Sequence, residues 1–269
     1  MKPSDLLPTT DIITHLFVIV DDTLPPLEKR PNSHLHVSEI VTVGCLFALR
    51  GGTFSSFYRW LKRDYLCLFP KLPERSRLQR LIEKYAYMCT DFLAKPSVFC
   101  TMDSYPIETI RPIRQGRSEQ QIGRKSKDKG RWSVGIKYCP VLNDTGHIIN
   151  FGWTGMNQHD QVFNGLAKKL EGESIVLADL GFRSAQGIPE NLKICKKGTW
   201  NGRMYIETVF SMFTYLFLLK QIYHRVGAYI TARLAYVSSV FNILLDLQRK
   251  IYGVSEDEKF KMSIKMFDI

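Results

Sequence analysis

Three acids stand where metal-dependent phosphoryl transfer would need them. Asp103 closes the short apolar run Val98 to Met102, and Asp179 closes a second, Ser174 to Ala178. Glu207 lies early in a segment whose apolar residues, Ile206, Val209, Phe210, Phe213, Leu216 and Phe217, recur at helical spacing. Short apolar runs rich in β-branched residues read as buried strands. Two carboxylates at strand tips and one on a helix offer hard oxygen ligands. Such a set can hold two Mg²⁺ about 3.5–4 Å apart, one at the attacking and one at the leaving oxygen of a phosphoryl transfer. Each acid also has a plain structural use. A strand-end Asp caps the turn that follows it. Glu207, four positions after Arg203, is spaced for an ion pair along one helix face.

The elements that must position these acids follow from the pattern on either side. Pro106, lacking an N–H, is expected to end pairing after Asp103. Trp132 to Val141 alternates as a strand, and His147 to Trp153 is its expected partner across the turn Asn143-Asp144-Thr145-Gly146. A helix is expected from His159 to Leu170 with Asp160 as its N-terminal cap, then a strand at Leu192 to Cys195 and a helix over Arg203 to Tyr223. The expected class is therefore α/β, a mixed sheet flanked by helices over residues 96–250, with a tail at 251–269.

Residues 1–95 read as a helical region. Asp11 to Asp21 is a short apolar segment, and Ser33 to Arg50 is a helix candidate with Ser38 as its cap and Gly51-Gly52 as its stop. Thr53 to Leu66 and Glu74 to Leu93 complete the set, carrying Arg59, Lys62, Arg63, Arg75, Arg77 and Arg80. Three short basic helices suit either a helix-turn-helix DNA reader or a bundle with a solvated basic face.

Charge points to a polyanionic partner. The 269 residues carry 37 Lys and Arg against 26 Asp and Glu, a net charge of +11. The excess concentrates after Asp103, at Arg111, Arg114, Arg117, Arg124, Lys125, Lys127, Lys129, Arg131 and Lys137, opposed by Glu119 and Asp128. A cationic loop or hairpin beside candidate metal ligands suits a phosphate backbone, because each phosphate neutralised releases counterions. The six cysteines are scattered with no C-x-x-C pair, so neither a disulfide framework nor a zinc site is expected. No signal peptide is read. Val226 to Leu247 is long enough to span a bilayer but carries Arg233 at its centre. A mid-bilayer Arg costs roughly 2.5 kcal/mol or more, so a buried helix is expected and no membrane partner.

An ordered set of segments resembles a known family. Asp103-Ser-Tyr-Pro, Ser133-Val-Gly-Ile-Lys-Tyr, Gly152 to Asp160 with its His-Asp, Ala178-Asp-Leu-Gly-Phe and Arg203-Met-Tyr-Ile-Glu-Thr-Val-Phe-Ser together resemble a bacterial insertion-sequence DDE transposase of the insertion sequence 982 family. The run from Phe69 to Leu78 resembles that family's N-terminal part, so the likeness spans about residues 35 to 245. It implies an RNase H-like catalytic core with Asp103, Asp179 and Glu207 as the acidic triad holding two Mg²⁺, Mn²⁺ substituting. It implies a signature Tyr-x₂-Arg-x₃-Glu-x₆-Lys around the last acid. Here Arg203 and Glu207 match, Trp200 replaces Tyr and Thr214 replaces Lys. Leu180 and Phe182 replace a polar Lys and Tyr after the second Asp. The implied activity is cleavage of double-stranded DNA at the element's inverted repeats and transfer of the freed 3′-OH into target DNA. A homo-oligomer would act on the paired ends in the cytoplasm, at the nucleoid. Arg203 would steady a phosphate, and Lys137, Arg111, Arg114, Arg124 and Lys125 would hold backbone. A nuclease of the same fold without strand transfer, and a non-catalytic DNA-binding derivative, remain open beside this reading.

Overall fold

In the computed structural model, which describes residues 8–29, 33–119, 121–128, 130–195 and 203–252, the chain first forms α1 (Thr9–Thr23), α2 (Val37–Arg50), α3 (Phe54–Asp64) and α4 (Arg75–Lys84). Local capping sets their starts. His36 and Glu39 form a capping box on α2, with the His36 N–H donating to Glu39 Oε2 at 2.6 Å. Ser38, the expected cap, lies inside the helix and is buried. Thr53 Oγ1 accepts from the Ser56 N–H to open α3, and the Glu74 carboxylate accepts from the Ser76 and Arg77 N–H groups to open α4.

The helix expected from Glu74 to Leu93 is split. α4 stops at Lys84 and a 3-10 helix continues over Ala86–Phe92. The reason is tertiary. Ser239 Oγ donates to the Cys89 carbonyl and Asn242 Nδ2 to the Phe92 carbonyl. Both donors belong to α7 (Gly227–Tyr252). They satisfy carbonyls that the end of a helix leaves unpaired.

The sheet follows: β1 (Phe99–Met102), β2 (Tyr105–Ile110), β3 (Lys125–Asp128), β4 (Arg131–Leu142), β5 (Ile148–Gly155), β6 (Ile175–Ala178) and β7 (Leu192–Ile194). β4 is its spine. β1 and β2 lie end to end along one side in a shared antiparallel register, Thr101 opposite Leu142, Tyr105 opposite Tyr138 and Ile107 opposite Ile136. β5 and β3 pair with the other side of β4. β1 also pairs parallel with β6, and β6 parallel with β7.

Pro106 therefore does not end pairing. The Glu108 N–H points away from β4, donating to the Lys220 carbonyl at 2.9 Å. Pro106, two residues earlier, shares that orientation, so its missing N–H costs no bond to β4.

Helices cover both faces. On one, a 3-10 helix (Asp160–Phe163) and α5 (Asn164–Lys168) pack Phe163, Leu166 and Ala167 against Cys100, Met102, Cys139 and Val176. His159 is the cap residue there, and Asp160, expected as the cap, opens the 3-10 turn. On the other face, α6 (Arg203–Tyr215) and α7 pack Phe213 and Phe241 over Tyr105 and Tyr138. α6 ends well short of Tyr223. The chain turns through Leu218 with φ 48°, and the Ile222 N–H then donates to the Glu108 carbonyl. The open edge of β2 thus takes backbone that would otherwise have continued the helix.

α7 is apolar and long enough to cross a membrane, but 83% of its apolar window is buried within the protein. It packs on α2, where Gly44 lies against the Tyr236 ring. Arg233, buried in its first two turns, donates to the Phe47 and Ala48 carbonyls at the end of α2 and lies over the Phe47 ring. One continuous apolar core runs from α1 through α7 to the sheet.

Candidate functional site

The register between β1 and β6 decides where the two aspartates meet. Phe99 lies beside Ile175, Cys100 beside Val176 and Thr101 beside Leu177. Carried two residues further, that register sets Asp103 beside Asp179, one residue past the end of each strand. Neighbouring strands lie about 4.8 Å apart. Alternation along β1 and β2 puts Asp103 on the face of Thr101, Tyr105 and Ile107, the face α6 covers.

Local bonds fix both carboxylates. Asp103 Oδ1 accepts from the Ser104 N–H at 2.7 Å, and Asp179 Oδ1 accepts from the Gly181 N–H at 2.9 Å, capping the 3-10 turn Leu180–Phe182. Phe182 is fully buried and anchors that turn, while Leu180 is exposed.

A third aspartate joins this edge, and it is not the expected third acid. A Cβ built on Gly181 would lie 3.0 Å from both Asp160 Oδ2 and Asp179 Oδ1, so the two carboxylates flank one glycine. Asp160 Oδ1 in turn accepts from Lys137 Nζ at 2.8 Å, and both side chains are about four-fifths withdrawn from solvent. Behind them sits Cys139, fully buried on β4. Burial first, then the charges of Asp103, Asp160 and Asp179, push its thiol well above the usual range. One buried atom thus feels all three carboxylates. The sequence signal for Asp160 was the His-Asp pair after β5, which a capping role also explains.

Glu207 is exposed on α6. One turn later Phe210 packs on Tyr105 with ring centroids 5.1 Å apart, and Thr214 Oγ1 lies 2.7 Å from the Tyr105 hydroxyl. The helix face bearing Glu207 therefore lies over the strand that leaves Asp103. Thr214, at the position of the expected Lys, is taken up by Tyr105 and the Phe210 carbonyl. Among the described residues no three or more His, Cys, Asp or Glu side chains stand close enough to share a metal ion, so neither Glu207 nor Asp160 completes a three-acid set with Asp103 and Asp179. The donor set still suits a hard cation. Mg²⁺ commonly takes one or two carboxylates and fills its other positions with water and substrate phosphate.

The basic residues divide. Lys137 is committed to Asp160. Lys125 and Lys127 lie on β3 with Nζ atoms 4.9 and 5.9 Å from the ring centre of half-exposed Trp132 on β4, so this hairpin presents cations and an indole together. Arg124 is exposed just before β3, its N–H donating to Asn157 Oδ1. Arg111 and Arg114 are exposed beyond β2. Arg203 opens α6, but its side chain, like Trp200 and Lys129, lies outside the described residues.

Fold and site together define a mixed α/β protein with two neighbouring strand-end aspartates at one sheet edge. Comparison with protein-family models and with curated proteins finds no match.

Proposed function

We propose that the protein is a DDE-type DNA transposase with an RNase H-like core, cutting DNA at element ends and joining the freed 3′-OH to target DNA. The observation that carries this reading is the parallel register of β1 and β6, which, continued one residue past the strand ends, sets Asp103 beside Asp179. The strand order around it supports the RNase H-like assignment. β5, β4 and β1 run antiparallel in succession, and β6 and β7 follow parallel to β1.

In this reading Asp103 and Asp179 hold the cation at the sheet edge. Bound there, Mg²⁺ or Mn²⁺ supplies Lewis-acid polarisation of a phosphoryl oxygen and lowers the pKa of a water. Asp160 adds negative charge beside them, and Lys137 offsets it. Glu207, on the α6 face that lies over the strand leaving Asp103, would supply the third carboxylate. The β3–β4 hairpin, Arg124 and Arg203 hold the DNA backbone. Exposed Arg59, Lys62 and Arg63 on α3, with Arg75, Arg77 and Arg80 on α4, suit recognition of the element ends by a homo-oligomer on paired DNA.

A second reading, a DNA-binding derivative without catalysis, is favoured by one observation: among the described residues no three acids stand close enough to share a metal ion. Incubating the protein with Mg²⁺ or Mn²⁺ and DNA carrying the element's ends separates the readings. Cleaved and joined products support a transposase, and cleavage without joining a nuclease. Binding without cleavage in either metal contradicts both and supports the derivative.

A further inference from the structure

A second feature lies at the other end of β2. There a cleft of about 290 Å³ opens between the segment after β2 and the segment before α7, and Arg114, Arg117 and Arg225 line it. A contiguous cleft adds Arg111 and shares Arg114 and Arg225. The backbone bridge from Glu108 to Lys220 and Ile222 builds the second wall, so Arg225 is brought opposite Arg114 from more than a hundred residues away. No acid lines either cleft, and among the described residues none of the four guanidiniums is in an ion pair. Each cleft thus gathers three guanidiniums, Arg114 and Arg225 being common to both, and like charges so placed repel one another unless an anion sits between them. Guanidiniums match phosphate oxygens with paired N–H donors.

We propose that this cleft is a second backbone-phosphate subsite for duplex DNA, offset along β2 from the acidic edge. The inference rests on the proposed DNA-cleaving function and adds a distance to it. From Asp103 to Ile110 the chain is extended but for one irregularity between Glu108 and Ile110, so seven residues at about 3.3 Å each span at most about 23 Å. Duplex DNA laid along β2, rising about 3.4 Å per base pair, then meets the cleft about seven base pairs from the phosphate at the acids.

The test measures the affinity of full-length protein for a labelled duplex that spans both positions, across a series of salt concentrations. Arg114→Gln combined with Arg225→Gln is expected to weaken binding about tenfold and make the salt slope shallower by about 1 to 2. Arg225→Lys, which keeps the charge, is expected to retain the wild-type slope. A single uncharged methylphosphonate about seven base pairs from the cut is expected to weaken wild-type binding and leave the double variant unaffected. If wild type binds with a steep salt slope and the double variant matches it, the subsite is wrong and the proposed function stands. If wild type binds no duplex, both fall.

Discussion

Lys137 Nζ stands 2.8 Å from Asp160 Oδ1, joining the middle of β4 to the turn that follows β5. Since Asp160 also shares Gly181 with Asp179, the pair sets the shape and charge of the acidic edge. Lys137→Met leaves a mostly buried carboxylate without its cation. The expected cost is about 1–2 kcal/mol, between the values for exposed and buried ion pairs. Metal-dependent cleavage is expected to fall at least tenfold. In a double-mutant cycle with Asp160→Asn, chemical denaturation should show coupling between the two changes. Additive losses would mean that the contact carries no energy.

Gly181→Ala probes the same edge without changing a charge. The new methyl would press on Asp160 and Asp179 from 3.0 Å, and the carboxylates must give by a few tenths of an ångström. The variant is expected to fold with stability within about 1 kcal/mol of wild type. Cleavage is expected to drop more than tenfold, because small displacements of ligands are expensive in phosphoryl transfer. Unchanged cleavage would show that the two carboxylates do not act as a unit.

His224 makes stability depend on pH. Burial, then the Arg233 charge, lower its pKa from 6.5 to about 4. Between those values the unfolded chain takes up a proton that the folded ring refuses. Stability is therefore full above pH 6.5 and falls as pH drops toward 4, by about 2–3 kcal/mol from this group. Urea unfolding at pH 7 and at pH 4.5 should show the loss, and His224→Gln should remove most of it. A variant with the same acid dependence as wild type would rule this histidine out as its source.

Gly44→Ala tests the packing that joins the helical region to α7. A Cβ at Gly44 would fall 2.3 Å from the Tyr236 ring, and Tyr236 is pinned by its hydroxyl to the Ile82 carbonyl at 3.0 Å. Overpacking a fixed ring costs about 1–3 kcal/mol or more. Thermal melting should show a single transition at lower temperature. No shift would mean that the α2–α7 contact is looser than described.

Where structure was legible in the sequence, local pattern and burial agreed. β1, β4, β5, β6 and β7 fall within a residue or two of the apolar runs that announced them, and Thr53 caps α3 at the expected start of that segment. What escaped was decided by partners far along the chain. Pro106 reads as a terminator, and it is harmless only because its backbone N faces away from β4. The apolar stripe beyond Tyr215 reads as more helix, yet Lys220 to Ile222 pair with β2. Asp103 and Asp179 could be picked out as strand-end acids, whereas their adjacency is a matter of register. Asp160 looks like a cap and Lys137 like a phosphate contact until the fold sets them against each other. Arg225 carries no local signal at all, since only the bridge to Glu108 brings it to Arg114.

The most direct test of the central claim is nicking of DNA carrying the element's ends in Mg²⁺ and in Mn²⁺, with wild type beside Asp103→Asn, Asp179→Asn and Glu207→Gln. The account predicts that wild type cuts only with metal, and that all three variants bind the same DNA with wild-type affinity but do not cut it. Cleavage by Asp103→Asn or Asp179→Asn at the wild-type rate would contradict it, because the paired strand ends would then not be the site.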